Sequence, residues 1–562
     1  MTKRLLASTL VLAASGLLAS CANIVPQSPA SALADRREDA IGAIQNVVVI
    51  YAENRSFDNL FGHFPGARGL DQVVDQHGKP TAAYVPQVDR DGRTVLATLP
   101  PTWGGVTAKG VTPVVTEKQS IGLANAPFAI ETAYQASAGV TLDLSTTTHD
   151  LWHRFFEHQM QIGRGDNEGF AAWSDAGGLT MGHFDTRRSA LHALAERYVL
   201  ADHFFQGAFG GSFLNHQYLV CACAPEYPNA DKAAAAPTIT VLEKDAGGND
   251  LPRLALPTNA SNNAPQSALE GPPKFVLSGN ITPPNYFGDG KFYAVNTMQP
   301  AYQPSSIEPD GTNATALMYA DRSKPTTLPP QTAATIGDRL DAKDVSWTWY
   351  AGAWRAAIAD GIQAPKVKRS VIYTPYEARG APDFQTHHQP FNYYAAFDPA
   401  TRAHARAKHL KDYDDLVADV AAGRLPAVTF YKPQGNLNQH SGYANIEDAD
   451  RHIADLVAKL QASPQWKGML IVITYDEFGG IWDHVPPPHG DKLGPGTRIP
   501  AIVISPLAKN GVVDHTPYDT GSILRFITRR WNLEPLPGVV ARDHVLKLYG
   551  AAPMGDLSAT LK

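Results

Sequence analysis

The chain has 562 residues, 44% hydrophobic and 18% charged, with 48 Lys plus Arg against 54 Asp plus Glu for a net charge of −6. This composition excludes collagen-like, coiled-coil and disordered chains. An acidic sum without basic runs also excludes a nucleic-acid partner, because phosphate neutralisation needs clustered Lys and Arg.

Residues 1–20 read as a secretory signal: Lys3 and Arg4, an apolar core over residues 5–18, and a Leu18-Ala19-Ser20-Cys21 ending. The core is too short to span a membrane with its flanks, and no other apolar run reaches that length. The ending resembles the bacterial lipobox. It implies a lipid on Cys21 as the membrane attachment of an exported protein, in the periplasm or on the outer membrane. An ordinary signal peptide is the alternative. Residues 21–43, rich in Ala, Ser and Pro, are expected to form a tether.

The first strand is predicted over residues 44–51 (IQNVVVIY), a β-branched run with little alternation, as suits a strand buried on both faces of a parallel sheet. Beyond it stand Glu53-Asn54-Arg55-Ser56-Phe57-Asp58. Next comes HDLWHRFFEH, with His149 and His153 at helical i, i+4 spacing and His158 beyond; His153 and His158 are read as structural. In QGAFGGSFLNH, small residues precede Ser212, so the backbone can approach a ligand and a helix opening there offers free N–H groups to an anion. Position 214 is Leu, so this is not the Gly-x-Ser-x-Gly elbow of a lipase. Cys221 and Cys223, two apart with no second pair to complete a zinc site, are read as small buried residues, unbridged.

Residues 231–330 hold 14 of the 43 prolines and little periodicity. They are read as an irregular insertion, a small β-rich cap over the active-site face, because they carry more aromatics than a linker needs. Strands are expected over residues 346–350 and 428–431, with the His387-His388 pair in a loop between them and a helix over residues 412–422. Lys432-Pro433-Gln434 and then Asn438-Gln439-His440 come after the second of these strands. A helix over residues 449–461 leads into the strand MLIVIT, residues 469–474, which ends in Tyr475-Asp476-Glu477-Phe478-Gly479-Gly480 and then Trp482-Asp483-His484. A last strand is expected over residues 499–505. The βαβ order predicts a doubly wound, mainly parallel α/β sheet flanked by helices. It is built from a first part, residues 44–230, and a second, residues 331–562, around the insertion.

In such a sheet, ligands bind beyond the carboxyl ends of the strands. Two strands ending in Glu53-Asn54 and Asp476-Glu477 offer hard oxygen ligands to one divalent cation, and magnesium, calcium, manganese or iron would each suit them. His387, His388 and His440 are candidates for binding phosphate oxygens or protonating a leaving group.

ENRSFD after the first strand, with YDEFGGIWDHVPPP after a later one, resembles the bacterial phosphoesterase family of phospholipases C and acid phosphatases, whose members have the alkaline-phosphatase-like fold. GGSFLNHQ, THHQPFNYY and QHSGYA are closer to the AcpA-type acid phosphatases. The phospholipase branch usually has Thr as nucleophile, where this chain has Ser212. The resemblance implies Ser212 as nucleophile, Glu53, Asn54, Ser212, Asp476 and Glu477 as metal ligands, and His149, His387, His388 and His440 around the phosphoryl and leaving groups. It assigns no role to His484.

The expected activity is that of a metal-dependent acid phosphatase, a phosphoric ester hydrolase taking small phosphorylated substrates through a phosphoserine. If its histidines act protonated, it is faster on the acidic side. A phospholipase C acting on phospholipid head groups is the alternative; a non-catalytic lipoprotein holding a phosphorylated ligand is the second. No Cys/Ser-x-Pro-x-Arg sequence stands after the first strand, which argues against a sulfatase. Natural substrate and oligomeric state are not legible.

Overall fold

The computed structural model describes residues 29–257, 264–374 and 382–562, and of residues 29–35 the backbone alone. The signal segment and Cys21 lie outside the described residues. Residues expected as a tether instead form a helix, Pro29–Ala43, in which Ile41 is buried and Glu38 pairs with Arg529.

The core is an eight-stranded sheet of β1 (Asn46–Ala52), β2 (Val199–Ala201), β3 (Trp347–Ala351), β4 (Leu410–Asp412), β5 (Val428–Lys432), β6 (Met469–Tyr475), β7 (Ala501–Ile504) and β8 (Val512–Asp514). Their spatial order is β4-β3-β5-β1-β6-β7-β2-β8. Every residue of β1 and β6 is buried, so helices cover both faces of the sheet, as the unbroken apolar runs demand. Val48 of β1 pairs with Thr429 of β5 on one side and Ile471 of β6 on the other, all parallel. β7 alone runs antiparallel to its neighbours. It reads as a buried parallel strand, but no helix intervenes between Tyr475 and Ala501 to return the chain to the opposite edge.

The covering helices are α1 (Ala190–Arg197), α2 (Ser212–Cys221), α3 (Tyr413–Ala421), α4 (Ile446–Ala462) and α5 (Thr520–Trp531). α4 shows why they form. The Asn445 side chain caps the Asp448 N–H, Glu447 and Asp448 complement the dipole, and Ile446, Ala449, Ile453, Leu456, Val457 and Leu460 make the buried stripe. α4 packs against α1 and α3, while α2 packs against α5.

The insertion carries two short strand pairs, Leu242–Lys244 with Asp250–Leu254 and Gln299–Pro300 with Thr327–Leu328. It docks through aromatics: Phe275 stacks on Trp173, and Tyr286 packs edge-on against Phe155 and Phe156.

The reading of Cys221 and Cys223 as unbridged is corrected, because the two sulfurs form a disulfide. A strand would place their side chains on opposite faces. Here α2 ends at Cys221 and Ala222 adopts the left-handed conformation, φ 52° and ψ 37°, which turns the two residues together.

Candidate active site

The carboxyl ends of three adjacent strands build the floor of the site. β1 delivers Glu53 and Asn54, β6 delivers Asp476 and Glu477, and β5 ends in Lys432. Asn54 sits at φ 61°, a left-handed conformation that Asn tolerates better than most residues. Its N–H donates to Asp476 Oδ1 at 3.1 Å, and the Arg55 N–H donates to the Glu477 carbonyl at 3.0 Å, so the two loops brace each other. Gly479 lets them close: at φ 66°, a Cβ there would lie 2.4 Å from the Asn54 carbonyl oxygen.

Ser212 enters as the first residue of α2, which is buried along its length. Its N-cap, Gly211, has no side chain to cap the first N–H groups. Gly210 turns at φ 81° against the Phe155 backbone, which a Cβ would meet at 2.6 Å, and its N–H donates to His158 Nδ1 at 3.0 Å. His158, stacked on Phe478, thus supports the turn that presents the serine. Ser212 Oγ lies 3.2 Å from both Asn54 Oδ1 and Glu477 Oε1.

The donor set suits a hard cation. Burial pushes the Asp476 carboxyl up to about 7 and that of Glu477 up to about 8, so neither is fully ionised near neutrality without added positive charge. Asp476 Oδ2 is buried without a hydrogen-bond partner, with Lys432 Nζ 3.8 Å away and His216 Nδ1 3.6 Å away. An orphaned carboxylate oxygen beside a serine hydroxyl, an amide oxygen and a second carboxylate is what an oxygen-ligated divalent ion would satisfy.

Glu53, the fifth expected ligand, is engaged elsewhere. It lies 3.2 Å from His387 Nε2, 3.1 Å from His388 Nε2 and 3.4 Å from Lys432 Nζ, and it accepts hydrogen bonds from Asn438 and Tyr443. Burial opposes its charge, but Lys432 and the two histidines outweigh burial and hold the carboxyl well below the usual range.

Of the expected histidines, His149, His387 and His440 line one cavity, and His388 packs edge-on against His387. His387 and His388, expected around a phosphoryl group, both direct Nε2 at Glu53, and Nδ1 of each ring has no hydrogen-bond partner. Burial lowers their basicity, that of His388 to about 3. His440 is also lowered by burial, with Nδ1 on the Ser441 carbonyl.

His149 stands on the wall of the cavity, against Gly104. Its neighbour in the motif, His153, reaches the centre: Nε2 lies 3.3 Å from Asn54 Nδ2 and 3.7 Å from Glu477 Oε1, and Nδ1 lies 2.5 Å from the Leu151 carbonyl. Burial opposes a charge on His153, but Glu477, Asp150 and the carbonyl prevail and raise it to about 9. The i, i+4 spacing suggests a helix through both histidines, yet the helix begins at Phe155, with Arg154 as its extended N-cap, and both histidines lie before it.

These groups open onto a cavity of about 720 Å³ lined by Ser212, His153, His387, His440, Arg154 and Tyr443. The insertion forms part of its wall. Arg154 donates to the Ser278 and Gly279 carbonyls, and Asn296 Oδ1 accepts from the Phe155 N–H. His484 is outside this set: it binds Asp58, which Arg498 also holds, and so clamps the outer halves of the two motif loops. Sequence reasoning assigns His153, Lys432, Asn438 and Tyr443 no role at the site, although Lys432 and Asn438 stand among the residues after a strand.

The sequence profile of the Phosphoesterase family matches residues 44–534. Phospholipase C B of Mycobacterium tuberculosis is 30% identical over 172 residues, 26% of this chain and 31% of that protein. Non-specific phospholipase C6 of Arabidopsis thaliana is 29% identical over 156 residues, 22% of this chain and 30% of that protein. The matches thus span under a third of the length of these curated relatives. Among solved structures, the lipoteichoic acid synthase LtaP of Listeria monocytogenes is similar over 69% of this chain and 70% of its own, at 8% identity and a TM-score of 0.26. A protein in the alkaline phosphatase superfamily from Vibrio parahaemolyticus is similar over 44% of this chain and 62% of its own, at 11% identity and a TM-score of 0.21. At TM-scores this low, the α/β assignment rests on the sheet itself.

Proposed function

Because the chain belongs to the Phosphoesterase family, we propose that it is a metal-dependent phosphoric monoester hydrolase, an acid phosphatase that works through a phosphoserine on Ser212. The carrying observation is the position of Ser212 Oγ, at an uncapped helix N-terminus and 3.2 Å from Glu477 Oε1. The lipobox-like ending at Cys21 supports an exported, lipid-tethered protein.

Each residue has a physical task. Glu477 Oε1 takes the hydrogen bond of the Ser212 hydroxyl and turns its lone pairs to the cavity. The free N–H groups at the start of α2 face anionic oxygens. Ser212 Oγ gives its proton to Glu477 Oε1 and attacks phosphorus in line, the ester bond to the leaving oxygen breaks, and a charged His153 gives its Nε2 proton to that oxygen. Water then gives a proton to His153 and attacks the phosphoserine, phosphate leaves, and Glu477 returns its proton to Ser212 Oγ. A divalent ion held by Asn54, Ser212, Asp476 and Glu477, with Glu53 beside them, supplies Lewis-acid stabilisation of negative charge when bound. His153 takes the general-acid role in this reading because its Nε2 lies 3.7 Å from Glu477 Oε1, the partner of the Ser212 hydroxyl, and Glu477 and Asp150 raise its basicity against burial.

A phospholipase C reading uses the same residues and is favoured by the names of the relatives. Ser212, where the phospholipase branch usually has Thr, supports the monoesterase. Initial rates on para-nitrophenyl phosphate and para-nitrophenyl phosphorylcholine, with and without chelator, separate the two. Chelator-sensitive turnover of the monoester supports the proposal. Cleavage of the choline diester alone moves the assignment to phospholipase C.

A further inference from the structure

Lys432 ends β5 with its side chain fully buried. Nζ lies 3.4 Å from Glu53 Oε2 and 3.8 Å from Asp476 Oδ2, and it donates to the Ala52 carbonyl at 3.3 Å. The Tyr51 ring lies 5.6 Å away. Burying an ammonium is costly unless it is paired and hydrogen-bonded, and a buried pair is by itself weak evidence of stabilisation. Its place between Glu53 and the candidate metal ligand Asp476 therefore calls for a functional reason.

The sheet order brings the three charges together. β1 lies between β5 and β6, so three parallel strand ends deliver Lys432, Glu53 and Asp476 in a row. Two-metal phosphoryl-transfer sites hold their cations about 3.5–4 Å apart over shared carboxylates. Here the ammonium occupies one flank of that arrangement. On the other flank, the orphaned Asp476 Oδ2, Glu477, Asn54 and Ser212 stand together.

We propose that Lys432 is a built-in cation standing in place of a second metal ion: it limits the site to one divalent ion and positions Glu53 and Asp476 for phosphoryl transfer. The metal count is independent of the hydrolase reading, and the kinetic arm rests on it.

The test uses the full chain stripped with chelator, as wild type, Lys432→Ala, Lys432→Met and Lys432→Arg. Each is titrated with Mn²⁺ by calorimetry, and bound metal is counted after desalting. Wild type and Lys432→Arg are expected to bind one Mn²⁺ per chain. Lys432→Ala, with the ammonium and its volume gone, is expected to take a second. Lys432→Met, which keeps the volume, is expected to lower kcat on para-nitrophenyl phosphate about a hundredfold with KM changed less than about threefold, and Lys432→Arg to recover part of that loss. A wild type that binds two ions overturns the proposal, whether or not the variants fold. So does a folded Lys432→Ala that binds one ion with wild-type affinity. If wild type turns over no phosphate ester, the hydrolase reading fails and the metal count alone judges the lysine.

Discussion

His484 Nδ1 lies 2.6 Å from Asp58 Oδ2, a buried contact that ties the loop after β1 to the loop after β6. Arg498 completes the clamp, 2.9 Å from Asp58 Oδ1 and 2.9 Å from Asp483 Oδ1. The acidic and histidine residues at the far ends of ENRSFD and YDEFGGIWDH thus belong to one support, set behind the groups that face the cavity.

Removing that support should cost stability in a pH-dependent way. Burial opposes a charge on His484, but Asp58 outweighs it and raises the folded pKa. The stabilisation is therefore complete below the unfolded value of about 6.5 and is lost as pH rises through the folded one. His484→Gln should destabilise by about 2 kcal/mol near pH 5.5 and by clearly less near pH 9, as read by denaturant unfolding at the two pH values. An equal loss at both would contradict the charged contact.

Metal-free protein should weaken as pH rises. Burial raises Asp476 to about 7 and Glu477 to about 8, so between about pH 4 and pH 8 the folded state binds protons that the unfolded state has released, and stability falls across that window. Chelator-stripped protein should show a falling Tm from about pH 5 to about pH 8 by scanning fluorimetry. Saturating divalent metal should flatten that slope, because a bound cation replaces the protons. A flat apo profile would count against a cation at these carboxylates.

His153 and His149 should differ sharply. His153 contacts Asn54 and Glu477, whereas His149 stands on the cavity wall. His153→Gln should lower kcat at least about a hundredfold. The loss should be larger for phenyl phosphate than for para-nitrophenyl phosphate, since the poorer leaving group depends more on a proton donor. His149→Gln should stay within about threefold of wild type, the ordinary range for a wall substitution. A reversal of this order would return the general-acid role to His149.

Much of this site is legible in the sequence because strand ends are. Unbroken β-branched runs mark β1 and β6, and residues just beyond the carboxyl end of a parallel strand face the ligand side, which places Glu53, Asn54, Asp476 and Glu477. The misses have local causes. β2, β4 and β8 have three residues each, too few to show a period. His153 is masked by a spacing that suits a helix, while the helix starts only at Phe155. Lys432 reads as an ordinary polar residue after a strand, and only the sheet order, with β1 between β5 and β6, shows which charges it meets.

The central claim is that Ser212 is the nucleophile. Its most direct test is to quench the metal-loaded enzyme in acid while it turns over a radiolabelled phosphomonoester, and then to map the labelled peptide. The proposed mechanism predicts acid-stable phosphate on Ser212, absent from Ser212→Ala, whose turnover should fall about a thousandfold or more. Turnover without covalent label, or label on another residue, would contradict it.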